Sequence, residues 1–277
     1  MEFTRRGSGR PLFLLHGFCS SSAIWRDLGA ALADRHDVIA PDWPGFGRGA
    51  ATPALQGLPA YAQALLALAD RLGIDTFDVL GHSFSGFVAQ QLLCDAPARV
   101  GRAVLYGAGA RVDPAARFES IETTLSRLHA EGPRAAARRV LATWFREGDA
   151  HPAYADCLED GMAMSAGGAA SMMAAVRGVD FTPSLAGVRA PALVILGEYE
   201  RSHPLPSALA LRAALPGGSL CVLPDSGHAA HLECPSLFHA VVRAFLRAEE
   251  LGAADAGAPA TLAISTDPCP MRQRSGP

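Results

Sequence analysis

The sequence predicts an α/β protein: a mostly parallel, twisted sheet covered by helices on both faces and interrupted by one helical insertion. Three observations carry this prediction. Short runs almost continuous in Val, Leu and Ile alternate with longer amphipathic stretches, the rhythm of buried parallel strands joined by helical crossovers. The rhythm fails over residues 111–185, where helical spacing persists without a strand-like run. One apolar run passes straight into helical spacing with a lone serine at the junction, FDVLGHSFSGFVAQQLLC at residues 77–94.

In chain order, PLFLLHG, HDVIAPD, FDVLGHS and RAVLYGA read as strands, with helical spacing around residues 22–34, 60–72 and 84–95. The insertion follows, with helical segments RFESIETTLSRLHAEG, RAAARRVLATWFREG and GGAASMMAAVRGV. It holds Met162, Met164, Met172 and Met173, four of the six methionines, together with Trp144 and Phe145. PALVILG and SLCVLPD resume the strands around a helix at about 204–215, and PSLFHAVVRAFLRAEE reads as a closing helix. Residues 1–110 and 186–250 thus form two halves of one sheet domain and 111–185 a helical cap. The Ala-, Gly- and Pro-rich 251–277 is expected to be a disordered tail.

Composition excludes whole classes of chemistry. All 24 basic residues are arginine, so the chain has no lysine, and it has no asparagine either. Schiff-base enzymes, pyridoxal phosphate enzymes and Walker-type NTPases need a lysine and are excluded. A net charge of −3 gives no footprint for nucleic acid or an anionic membrane. Six scattered cysteines without a CxxC pair read as free thiols of a reducing compartment. The opening MEFTRRGSGR has no apolar leader, and no apolar run approaches a membrane span. A cytoplasmic protein is expected.

The serine carries the functional reading. Gly81-His82-Ser83-Phe84-Ser85 approximates G-x-S-x-G, the pattern of a strand that turns sharply into a helix with a hydroxyl at the apex. Small neighbours suit the tight turn, and the helix start favours a developing negative charge. The plainer reading is a helix N-cap.

A serine at its ordinary pKa needs a base. His228, after the last strand-like run, is the favoured base, with His231 nearby as a pocket wall or exposed residue. Their spacing could suggest a metal, but no HExxH or carboxylate cluster supports one. An acid must orient the base; Glu198 and Glu200 end the preceding strand, and Asp225 lies closer in sequence. His16-Gly17-Phe18 ends the first apolar strand, where backbone N–H groups could face an oxyanion.

Together these segments resemble the α/β-hydrolase superfamily. LHGF resembles its oxyanion loop, DWPGFGRG at 42–49 its D-x-P-G-x-G-x-S loop and GHSFSG its nucleophile elbow. LGEYE resembles its acid turn, GHAAHLECP its histidine loop, and the order is the family's own. The resemblance implies Ser83 as nucleophile, His228 as base, Glu200 as acid and main-chain donors at Phe18 and Phe84. It implies a sheet of about seven or eight strands, with EFTRR standing for the second strand of the family's opening hairpin and the first missing. Glu200 stands where many relatives have Asp, and Ser85 where they have Gly.

The implied activity is hydrolysis of a small carboxylic ester or lactone, without metal or organic cofactor, closest to the enol-lactonase and small-esterase branch. Asp-nucleophile dehalogenases and epoxide hydrolases do not fit a serine. C–C bond hydrolases commonly carry an Asn that this chain lacks. An acyltransferase or perhydrolase, and a low-turnover ligand-sensing protein, are the other readings. Trp144, Phe145, Met162 and Met172 are candidates for an apolar, adaptable pocket, each of them equally able to bury the cap against the core. Arg134, Arg138 and Arg139 read as an exposed helix face, and Cys19 as a packing residue.

Overall fold

The computed structural model describes residues 1–252; the expected tail lies outside the described residues except at its first two positions. Seven strands form one sheet: β1 (Phe3–Arg6), β2 (Arg10–Leu15), β3 (His36–Pro41), β4 (Phe77–His82), β5 (Val100–Tyr106), β6 (Ala192–Gly197) and β7 (Ser219–Leu223). Their spatial order is β1-β3-β2-β4-β5-β6-β7. β1 runs antiparallel to β3, with Phe3 opposite Pro41, and every other pair is parallel. The short EFTRR segment is therefore an edge strand.

The helices are α1 (Arg26–Leu32), α2 (Gly57–Arg71), α3 (Phe84–Asp95), α4 (Ile121–Glu131), α5 (Pro133–Leu141), α6 (Tyr154–Met162), α7 (Ala166–Ala175), α8 (Thr182–Leu185), α9 (Leu205–Ala214), α10 (Ala230–Glu233) and α11 (Pro235–Gly252). The period-2 alternation of side chains divides the strands between two cores. Phe13, Leu15, Val79, Leu105 and Val194 face a cluster built with α2, α3, α9 and the insertion. Leu12, Leu14, Leu80, Val104 and Ile195 face a second cluster with Leu28 and Leu32 of α1 and Phe238 and Val242 of α11. This is why the central strands are continuously apolar. Each fully buried Leu or Phe contributes about 1.5–3 kcal/mol, so the two cores hold the sheet firmly between its helical layers.

Helices α4 to α8 lie between β5 and β6. Ser120 and Ser165 cap α4 and α7, each accepting a backbone N–H at 3.0 Å. The ends of the segment meet at one neck, where Arg111 bridges Asp180 and Phe181 N–H donates to Ala110 O at 2.9 Å. Helix α6 was not among the sequence-predicted helices, although Cys157, Leu158 and Met162 supply its apolar face. No helix among the described residues is long and apolar enough to cross a membrane.

Candidate active site

Strand β4 ends at His82 and α3 starts at Phe84, so Ser83 alone makes the turn. Its backbone sits at φ 55°, ψ −116°, a region costing of order 1–3 kcal/mol for a residue with a side chain. A neighbouring side chain would not fit: a β-carbon on Gly81 would lie 2.1 Å from the Ser85 carbonyl oxygen. Ser83 holds the N-cap position of α3, yet its side chain makes no capping hydrogen bond. The Ser83 side chain therefore does not cap the helix, and the residue lines a cavity.

Ser85 does more than fill a small position. It is fully buried, donates its hydroxyl to His16 O and accepts from Trp43 Nε1 at 3.0 Å. Trp43 Nε1 also reaches His16 O at 3.1 Å, and Trp43 N–H donates to His16 Nε2 at 3.1 Å. His16 must therefore be neutral, with Nδ1 facing Gly17 O at 2.8 Å; burial pushes its pKa down to about 4. The network joins the loops after β2 and β3 to the first turn of α3 and holds the Gly17–Phe18 backbone against the serine. A β-carbon at residue 17 would come within 3.0 Å of Ser83 Cβ. Phe18 N–H donates to no acceptor among the described residues, and the Phe84 N–H, in the first turn of α3, has no intrahelical acceptor.

The loops after β6 and β7 are zipped together. Glu198 N–H donates to Leu223 O at 2.9 Å, and Tyr199 N–H to Ser226 O at 2.8 Å. This pairing sets Glu200 Oε2 2.6 Å from His228 Nδ1, both residues buried. The other carboxylate oxygen, Oε1, accepts Ser202 N–H at 2.6 Å and His203 N–H at 3.2 Å. Burial alone would raise the Glu200 carboxyl; His228 and the surrounding donors outweigh it and hold the pKa below its ordinary value. Nδ1–H must point at the carboxylate, which leaves Nε2 of His228 as the acceptor.

Several residues brace this pair. The His228 carbonyl accepts Tyr106 OH at 2.8 Å and His82 Nε2 at 3.0 Å. Glu233 clamps the histidine loop, accepting Gly227 N–H at 2.6 Å and Arg146 N–H at 2.7 Å. Glu198 accepts Asp225 N–H at 3.1 Å and does not reach the imidazole. Gly107, at φ 58°, leaves the space the pair occupies: a β-carbon there would lie 3.0 Å from His228 Cε1 and 3.3 Å from Glu200 Oε2. The sequence does not single out Gly107, whose signal lies only in its place at the end of β5, beside the serine turn.

Ser83, His228, Phe18, Phe84 and Trp144 line one cavity. Its free volume is about 20 Å³, room for roughly one water molecule. Of the four residues expected to form the substrate pocket, Trp144 alone lines this cavity. Phe145 stacks on His151 with ring centroids 4.5 Å apart, Met172 is fully buried in the core, and Met162 packs against it half-buried. Met173 takes the wall position next to Val176. His231 is buried against Tyr106 and Trp25, with its pKa pushed down to about 3 by burial. On its far side Trp144 also lines an open groove of about 680 Å³ with Cys19, Cys157 and His231. The Trp144 carbonyl accepts Ala229 N–H at 3.0 Å, so the insertion hangs on the residue after His228. Among the described residues no cluster of His, Cys, Asp and Glu could hold a metal ion.

A parallel sheet with a buried imidazole–carboxylate pair and a serine turn at the carboxyl ends of its strands is the frame of an α/β enzyme. Residues 10–235 match the family described as the alpha/beta hydrolase fold, and the chain belongs to that family. It is 30% identical over 249 residues to a putative carbamate hydrolase, RutD, of Pseudomonas savastanoi pv. phaseolicola, covering 86% of this chain and 95% of that one. It is 27% identical over 255 residues to a 2-hydroxy-6-oxo-6-phenylhexa-2,4-dienoate hydrolase of Burkholderia cepacia, covering 87% and 88%. A solved thermophilic esterase from Thermogutta terrifontis matches with a TM-score of 0.81 at 27% identity, covering 89% of this chain and 93% of that one.

Proposed function

We propose that this protein is a serine hydrolase that cleaves a small carboxylic ester or lactone through an acyl-enzyme. The observation that carries the reading is the 2.6 Å contact between His228 Nδ1 and Glu200, behind a serine at a strained apex in the same cavity. Ser83 Oγ adds to the substrate carbonyl as its proton passes to His228 Nε2. The carbonyl electron pair moves to oxygen, where the Phe18 and Phe84 N–H groups meet it. Glu200 stays ionised and stabilises the imidazolium.

Collapse of the adduct breaks the bond to the alkoxide, which leaves with the His228 proton. Water then adds to the acyl group, giving its proton to His228, and Ser83 is released with the carboxylic acid. The names of the relatives extend the panel worth testing to carbamates and to C–C bonds beside a ketone.

The test is turnover of p-nitrophenyl esters and simple lactones by the wild type and Ser83→Ala. The expected loss is at least ~10³-fold, with an unchanged circular dichroism spectrum. Glu200→Gln should lower kcat far more than Glu198→Gln, since Glu198 meets only a backbone amide. Undiminished turnover in Ser83→Ala would end the proposal.

A further inference from the structure

We propose that Arg117, with His203 beside it, forms an anion subsite in the wall of the catalytic cavity, so that the substrate is an ester or lactone bearing its own carboxylate.

Arg117 lies on the connection from β5 into α4. Phe118 N–H donates to Arg201 O at 3.1 Å, which draws this connection onto the turn that carries Glu200. The Arg117 side chain lines the cavity with Ser83, His228, Ser202 and His203. Its Nε is buried without a hydrogen-bond partner, and no carboxylate pairs with it among the described residues. The Phe118 ring, 5.1 Å from the guanidinium carbon, is its aromatic neighbour.

The acids closest to it are engaged elsewhere. Glu119 pairs with Arg127 at 3.2 Å and Arg139 at 3.3 Å and accepts from Thr124 at 2.8 Å. Glu200 is filled by His228 and the two backbone donors. A half-buried guanidinium with an unpartnered inner nitrogen and no counter-charge is free to take an anion, and it lines the cavity that holds Ser83 and His228. Burial presses its pKa down against the pull of Glu119 and Glu200, the direction a bound anion would reverse.

His203 completes the subsite. Its ring lines the same cavity, packs on Phe87 at 5.4 Å, and makes no side-chain hydrogen bond among the described residues. Burial pushes its pKa down to about 3, so at neutral pH it offers one N–H donor without a charge. The planar guanidinium fork matches a carboxylate. The plainer role for Arg117, holding Glu200 ionised, is already filled by three hydrogen-bond donors.

The inference rests on the Ser83 reading for its kinetic arm alone. That arm compares mono-p-nitrophenyl glutarate with the neutral p-nitrophenyl pentanoate. In the wild type the hemiester should have the higher kcat/KM. Arg117→Gln should lower the ratio of the two kcat/KM values by about 10- to 100-fold, mainly through KM for the hemiester, the size of one lost charge-assisted contact. Arg117→Lys should restore only part of it. His203→Gln, expected to lower the ratio about 3- to 10-fold through one neutral hydrogen bond, serves if Arg117→Gln does not fold.

The second arm needs no turnover: free glutarate should raise Tm in the wild type and not in Arg117→Gln. Ser83-dependent turnover of both esters, with a ratio and a glutarate shift that ignore residue 117, would overturn the anion subsite and leave the hydrolase standing. An Arg117-dependent glutarate shift with no turnover of either ester would do the reverse. An equal loss of both esters in Arg117→Gln would assign the residue to Glu200, and inorganic phosphate matching glutarate would overturn the carboxylate assignment.

Discussion

The Ser85 hydroxyl donates to the main-chain oxygen of His16, tying the helix behind the Ser83 turn to the loop in front of it. Ser85 is a departure from the family's usual glycine, and the structure gives the hydroxyl a purpose, because with Trp43 it fixes the loop that presents the Phe18 N–H.

Ser85→Ala keeps the small volume and removes that hydrogen bond. The Trp43 indole can still reach His16 O at 3.1 Å, so the loss should be partial. Urea unfolding is expected to show a destabilisation of about 0.5–1.5 kcal/mol. Unchanged stability would mean that the hydroxyl is a passenger.

Gly107→Ala tests the space behind the dyad. The substitution places a carbon 3.0 Å from His228 Cε1 and 3.3 Å from Glu200 Oε2 at φ 58°. Backbone strain alone should cost about 1–2 kcal/mol, and displacement of the imidazole should lower kcat/KM by ~10²-fold. Ester kinetics beside thermal melts separate the two effects; a variant less stable but fully active would sink the second.

Acid should destabilise the fold before it titrates the carboxylates. His16, His203 and His231 are buried, with folded pKa values of about 4, 3 and 3, against roughly 6.5 in the unfolded chain. Below that value the unfolded state binds protons that the folded state refuses, so stability falls as pH drops from about 6.5 toward 4. At pH 5 each histidine accounts for a loss of about 2 kcal/mol. Urea midpoints from pH 7 to pH 5 should fall steeply, and replacing one of the three by Gln should flatten the slope. A level profile would contradict the buried, neutral assignment.

The strands were legible because both faces of the sheet are covered, which leaves only apolar residues in Leu12–Leu15 and Ala192–Leu196. The order of the serine, acid and histidine turns was legible for a similar reason: each turn demands glycine at a fixed offset. The cavity wall was not. Met172 and Met173 are consecutive on α7 and point about 100° apart, so one enters the core and the other the wall, a choice set by how the insertion lies on the sheet. Arg117 had no local signal at all. It sits in an irregular connection, and one backbone hydrogen bond from Phe118 to Arg201 lays that connection beside the turn that carries Glu200. Glu233 belonged to a recognised motif, but its work, clamping Gly227 and Arg146 from two oxygens, required the coordinates.

The hydrogen bond from Ala229 to Trp144 has a mechanical result. Trp144 lines both the small cavity beside Ser83 and the larger groove behind it, and its own peptide is fastened to the one that follows His228. The insertion and the histidine loop are therefore fastened to each other at this peptide, and strain placed on either is passed to the other.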